Sequence, residues 1–191
     1  MTTPDLTDLP FGLVVDERGQ LKPATTTIER RLSQMAGMYA DRDAEQTALA
    51  GGGDPLVYEV HQYDVAEYAG ELMVCTTILH PGKVGDEFFM TKGHFHEVRD
   101  RAEIYFGLQG EGQLVLARDG AAEAVPMSPG VVAYVPPYWA HRTVNTGREP
   151  FVFLAVYPGD AGHDYGTIET EGFPQRVLER DGQVLVERSG R

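Results

Sequence analysis

The chain has 191 residues, 42% of them hydrophobic, with one cysteine and a formal charge of −13 from 16 basic and 29 acidic side chains. That length and apolar share suffice for one domain with a buried core, and the acidic balance repels polyphosphate backbones, so no nucleic-acid partner is expected. A lone thiol rules out an intramolecular disulfide. No apolar run reaches transmembrane length, and Met1 to Asp8 is polar and acidic, unlike a secretory leader, so no membrane is expected and the expected compartment is the cytoplasm.

In chain order, Leu13 to Leu21 reads as a short strand and turn. Between Thr26 and Ala50 the apolar residues Ile28, Leu32, Met35 and Tyr39 fall at helical spacing, and Thr26 with Glu29 matches a capping box, which predicts the chain's one helix. Arg30, Arg31, Asp41, Asp43 and Glu45 would form its solvated face. Gly51-Gly52-Gly53-Asp54-Pro55 breaks it. From Leu56 to Val156 the sequence turns into short β-branched and aromatic runs punctuated by Gly, Pro and Asp, the pattern of a β-sandwich or small barrel such as a jelly roll. Cys75, inside Leu72 to Leu79, is expected as a buried strand thiol. Tyr138 and Trp139 are expected to line a barrel mouth or pack under a loop. Val184-Leu185-Val186, after Asp181-Gly182, reads as a last short strand, and both terminal strands suit a sheet edge or a dimer contact. The expected division is residues 1–55 as an arm and helix packed on a barrel of residues 56–191, one structural domain overall.

The densest chemistry lies in Gly93-His94-Phe95-His96, Glu103 and His141. On a strand, His94 and His96 point to one face. Glu103 follows a polar turn and opens the run Ile104-Tyr105-Phe106, so a hairpin returns it to the histidines. His141 arrives after Gly130 to Val135 and a proline turn. Taken singly, a strand histidine is more often a hydrogen-bonded core residue. Burying two imidazoles and a carboxylate together without a cation is costly, and that favours a divalent metal held by His94, His96, Glu103 and His141. Such a cage accepts Mn, Fe, Ni or Zn.

The spacing His94-x-His96, six residues, Glu103, six residues, Gly110 resembles the first cupin motif, and Gly130, Pro136, His141 and Asn145 resemble the second. One departure is Tyr138, where the motif usually has glycine. Thr91-Lys92-Gly93-His94-Phe95-His96 with Arg101-Ala102-Glu103-Ile104-Tyr105, and Tyr157 to Gly166, resemble the signature of the cupin-type phosphoglucose isomerases. Arg31 to Asp41 resembles that family's N-terminal helix. The resemblance implies an all-β cupin jelly-roll barrel with an N-terminal helix and short terminal strands. It also implies interconversion of glucose 6-phosphate and fructose 6-phosphate, with one divalent metal per subunit, and a homodimer by analogy with related cupins.

Aldose–ketose isomerisation needs a proton taken from the carbon beside a carbonyl, stabilised enediolate oxygens, and proton return at the neighbouring carbon. Glu103 is the expected base, with a metal-assisted hydride shift as the alternative. The resemblance assigns sugar and phosphate contacts to Thr77, Thr91, Gly93, Tyr105, Tyr157, His163 and Tyr165. His163, in a glycine-rich loop, is the stronger catalytic candidate, whereas Thr77, Tyr105 and Tyr157 singly also suit plain packing. Lys92 is a candidate cation for the phosphate, yet strict alternation puts Lys92 on the histidine face and Thr91 with Gly93 on the other, unless the strand bends at Gly93. The rival readings are an Fe(II) cupin dioxygenase, a non-catalytic sugar-sensing cupin, and an isomerase of mannose 6-phosphate.

Overall fold

The computed structural model describes residues 10–51 and 53–189; Met1 to Asp8 and Gly52, both used in the sequence reading, lie outside the described residues. The chain opens with the hairpin β1 (Val14–Val15) and β2 (Leu21–Lys22), whose turn is held by Asp16 accepting the Arg18 and Gln20 N–H groups. Next come β3 (Thr26–Arg31), a 3-10 turn (Leu32–Met35), α1 (Arg42–Ala50), β4 (Leu56–Tyr63), β5 (Leu72–Leu79), β6 (Lys83–Val84) and β7 (Glu87–Phe88). After the metal-motif segment follow β8 (Glu103–Gln109), β9 (Gly112–Arg118), β10 (Ala121–Met127), β11 (Val132–Val135), β12 (Ala140–Asn145) and β13 (Phe151–Pro158). The chain finishes with α2 (Gly166–Glu171) and the hairpin β14 (Gln175–Arg180) and β15 (Gln183–Arg188).

One layer is the antiparallel sheet β11-β8-β13-β5-β4-β3. Opposite it lie β10-β9-β12 and β15-β14-β7-β6, which the segment after β7 joins through bridges Met90 to Val144 and His94 to His141. Leu114, Val115 and Leu116 of β9 and Val144 of β12 share a buried cluster with Cys75 and Leu79 of β5, Tyr105 of β8 and Phe151, Phe153 and Ala155 of β13. The arrangement is a jelly roll, as expected, built from facing open sheets and not closed by one ring of strand hydrogen bonds. Cys75 is a buried free thiol on β5.

The expected helix over Thr26 to Ala50 is displaced. Thr26-Thr27-Ile28 are β-branched and favour extended backbone, and β3 alternates half-buried and exposed residues while pairing with β4. The Thr26 hydroxyl bonds Asp64 instead of capping a helix. Leu32 and Met35 are buried, but from the 3-10 turn. The helix starts sixteen residues later, at Arg42, where the Asp41 side chain accepts the Ala44 N–H at 2.8 Å, and it ends as expected at the glycines. Glu45 is not solvated: it is buried, accepts the Gly37 N–H and pairs with Arg42 at 3.2 Å.

Two turn positions carry the motif geometry. At Gly110 φ is +71°, and a Cβ would stand 2.3 Å from the Pro150 carbonyl oxygen, so only glycine fits. Tyr138 replaces the usual glycine yet keeps a glycine-like φ of +70°, with its N–H donating to Arg99 O at 2.7 Å. The turn shape is therefore retained, at a backbone cost of about 1–2 kcal/mol.

Candidate metal centre

Gly93 has φ +77°, and the extended segment bends there. The bend resolves the conflict of faces: the Thr91 hydroxyl sits 3.3 Å from that of Thr143, while the Lys92 ammonium turns to Glu169 at 3.0 Å. Immediately after it, the His94 N–H donates to His141 O at 3.1 Å and the His141 N–H returns to His94 O at 3.0 Å. Paired so, the two residues place their rings 4.4 Å apart between centroids, and His96 lies 5.2 Å from His141. Glu103, first residue of β8, completes the cluster. One ligand atom from each of His94, His96, Glu103 and His141 lies within 4.8 Å of the others.

Outer contacts set which nitrogens face inward. His96 Nδ1 is 2.9 Å from Arg101 O and His141 Nδ1 is 3.3 Å from Trp139 O, so each donates there and turns Nε2 to the centre. His96 Nε2 is 3.1 Å from Glu103 Oε2. His141 Nε2 lies 2.9 Å from the same oxygen but is not oriented to bond it, and His94 Nε2 is buried without a partner. Orphaned, convergent imidazole nitrogens beside one carboxylate are the donor set a divalent cation requires.

The electrostatics agree. Burial disfavours the charged Glu103 carboxylate, but the nearby His141 charge and the hydrogen bond and charge of His96 prevail and hold it down at about 2. Burial lowers His96, and Glu103 more than reverses this, so it ends raised. Burial and the neighbouring imidazoles hold His94 well below its usual value, neutral and ready to ligate.

The centre opens into a cavity of about 290 Å³. It is lined by Thr77, Thr91, Lys92, Gly93, Tyr105, Tyr157, His163 and Tyr165 together with His94, Glu103 and His141. Every candidate site residue from the sequence thus meets here; His96 alone stands behind the wall. His163 stands at the mouth, 4.5 Å from the His94 ring and stacked on Tyr165 at 7° between planes. Crowding by protein lowers its pKa, so it is neutral at neutral pH. Burial, followed by the Glu103 charge, pushes the Tyr105 phenol well up, and the Tyr157 hydroxyl donates to Gln62 at 2.9 Å. Two ion pairs clamp the His163 loop, Arg101 to both Asp160 oxygens at 2.8 and 2.7 Å and Arg99 to Asp164 at 2.6 Å.

Sequence reasoning missed Arg30, Tyr58 and Gln62, which also line this cavity. Arg30 was expected on a solvated helix face; on a strand it shares the inward face with Ile28, two residues before it. Burial raises the Tyr58 phenol to about 12, and the Arg30 charge pulls the other way. The β-branched run at Thr26 was the signal for that strand.

A family model described as glucose-6-phosphate isomerase (GPI) matches residues 29–191. Relatives named glucose-6-phosphate isomerase from Thermococcus kodakarensis and Pyrococcus furiosus are each 53% identical, covering 93% of this chain and 93% and 94% of their own. A Rhizobium meliloti protein named putative glucose-6-phosphate isomerase 2 is 40% identical over 87% of this chain and 84% of its own. Among solved structures, a Bacillus subtilis oxalate decarboxylase has a TM-score of 0.45 at 25% identity, over 54% of this chain and 26% of its own. An oxalate oxidase in complex with glycolate has a TM-score of 0.49 at 16% identity, over 59% of this chain and 56% of its own.

A carboxylate whose pKa is depressed on folding adds stability above its unfolded value near 4.3, and that stability is lost as pH falls toward its folded value. Metal-stripped protein should therefore lose urea resistance from about pH 4.5 down to about 2, and Glu103→Gln should flatten part of that slope. Identical slopes in the two proteins would show that Glu103 is not held ionised by the histidines.

Proposed function

This chain belongs to the glucose-6-phosphate isomerase family, and from that premise we infer that it interconverts glucose 6-phosphate and fructose 6-phosphate in the cavity above His94, His96, Glu103 and His141. The observation that carries the reading is the convergence of a four-ligand donor set with a wall of hydroxyls in one cavity. Family membership decides against the dioxygenase and the sensing cupin.

His94, His96, Glu103 and His141 would hold a divalent ion, of which Mn, Fe, Ni and Zn all suit three imidazoles and a carboxylate. When bound, the ion supplies Lewis acidity for the negative charge that develops on two adjacent sugar oxygens. Glu103, kept ionised, takes the proton from the carbon beside the carbonyl and returns it to the neighbouring carbon. His163, neutral and fixed by its stack on Tyr165, moves the hydroxyl proton between the two oxygens. Thr77 and Thr91 hydroxyls and the Gly93 bend receive the phosphate, with Arg30 supplying charge at the same wall. Tyr105, Phe153 and Ala155 close the inner end against water. A second reading, the hydride shift, draws support from the weak basicity of a carboxylate held at about 2.

We also propose a cytoplasmic homodimer. Val132 and Tyr134 of β11 are 63% and 58% exposed, and Ile104, across from Tyr134 on β8, is 44% exposed. This outward apolar face suits a second copy of the chain.

Protein stripped with chelator should lose fructose 6-phosphate isomerisation and regain it with at least one of the four ions. No activity with any ion would sink the isomerase reading. In deuterated water the Glu103 route places deuterium on carbon 1 or 2, whereas full retention of hydrogen selects the hydride shift. Arg30→Gln should raise KM about tenfold or more with kcat little changed, as loss of a charged hydrogen bond to phosphate requires; an unaltered KM would remove Arg30 from phosphate recognition. Light scattering should give a two-chain mass, and a one-chain mass would overturn the dimer.

A further inference from the structure

Gln62 and Tyr157 meet on the wall of the cavity above the metal ligands, where the Tyr157 hydroxyl donates to Gln62 Oε1 at 2.9 Å. Strand register brings them there: Tyr157 of β13 pairs with Met73 of β5, and Gln62 of β4 pairs with Cys75, two residues further along β5. All four side chains therefore project to the same inner face of the sheet. The Tyr157 ring lies 5.5 Å from the His163 ring at 87° and 6.1 Å from the His96 ring, so the phenol stands at the reacting end of the cavity.

A carboxamide fits its pocket either way round, and its far partner decides which. Gln62 Nε2 donates to Asp64 Oδ1, while Asp64 Oδ2 accepts the hydroxyls of Thr25 and Thr26. Burial works against the Asp64 charge, but hydrogen bonds from Thr26, Gln62 and Thr25 prevail and hold the carboxyl below the usual carboxylate range. An ionised carboxylate only accepts, so Gln62 must turn its NH₂ to Asp64 and its oxygen to Tyr157. Tyr157 must then donate to Gln62, and burial above all keeps its proton in place. The lone pairs of the phenol oxygen are left over, and no group among the described residues donates to them.

We propose that Asp64 and Gln62 are positioning residues which make the Tyr157 hydroxyl an acceptor only, so that it takes a hydrogen bond from a sugar hydroxyl beside the two reacting carbons and does not serve the phosphate. The inference rests on the isomerase reading. A phosphate ester at neutral pH brings lone pairs and negative charge, which an acceptor repels, whereas a hydroxyl brings the proton that Tyr157 lacks a donor for. The oxygens on carbons 1 and 2 belong to the metal ligands, and Tyr157 stands next to these, which leaves the hydroxyl on carbon 3 or 4 as its partner. Tyr157 thus reads the sugar, and the phosphate is left to the other side chains of the wall. A site built to pair with a substrate hydroxyl rejects the analogue without one, because its own polar group is then left unpaired.

The test compares kcat/KM of the metal-loaded chain for glucose 6-phosphate and for its 3-deoxy-3-fluoro and 4-deoxy-4-fluoro analogues, in which fluorine accepts but never donates. In Gln62→Leu the phenol is free to turn and donate to fluorine. Its kcat/KM for glucose 6-phosphate should fall about tenfold, while that for the analogue fluorinated at the contacted carbon holds or rises, so discrimination shrinks about tenfold or more. The effect of fluorine on the chemistry itself is common to both proteins and cancels. Asp64→Asn, at an exposed position, frees the amide to turn over and should shift discrimination the same way; it carries the test if Gln62→Leu does not fold. In a Tyr157→Phe background, Gln62→Leu should leave discrimination unaltered. A shift with either analogue supports the proposal and names the carbon. The proposal is overturned if the variants lower all three substrates alike, or if Gln62→Leu still shifts discrimination without the Tyr157 hydroxyl. A parent that turns over none of the three with any ion sinks the isomerase reading, whereas those two outcomes sink the relay alone.

Discussion

Two backbone hydrogen bonds between His94 and His141 hold the molecule's chemistry together. They join the segment after β7 to β12, so they complete one face of the jelly roll and bring two imidazoles into ligand range in the same act. Metal binding and sheet assembly thus use one register: a slip of a single residue would send either ring to the opposite face. Glu103 reaches the same point from the other layer, as the first residue of β8. The centre is a seam between the layers, and the cost of burying its carboxylate is offset by the imidazoles that face it.

What was legible in the sequence is what local spacing encodes. His94-x-His96, the turn to Glu103 and the proline turn before His141 are short-range patterns; β8 and β12 are present as predicted, whereas the strand expected at His94 and His96 is an extended segment held by isolated bridges to His141 and Asp164. The helix failed because Ile28, Leu32, Met35 and Tyr39 fit a period of 3.6 only by coincidence: Ile28 is half-buried on a strand, and Leu32 and Met35 are buried from a 3-10 turn. Arg30 was lost with that error, since its direction depends on which periodicity rules the segment. The bend at Gly93 was posed by the sequence as a contradiction between Lys92 and Thr91, and a positive φ resolves it. The relay from Asp64 to Tyr157 was invisible beforehand, because Gln62 and Tyr157 are brought together only by long-range strand pairing.

Charge shows the same division between surface and interior. The chain carries a net charge of −13, while Arg30 in the cavity of the metal centre and Arg142 at a second one, also lined by Lys92, provide local positive fields that net charge does not report. At contact distance the near cation outweighs the remote carboxylates, which are screened by salt.

Arg101 joins the metal shell to the loop through two different parts of one residue. Its carbonyl oxygen fixes the His96 ring, whereas its guanidinium grips Asp160 at the base of the His163 loop. Any amino acid supplies the carbonyl; only arginine supplies the two-pronged grip. A replacement at this position would therefore release the grip on the loop while leaving the backbone contact that sets the His96 tautomer in place, so loop anchorage and ring orientation are separable properties of one residue.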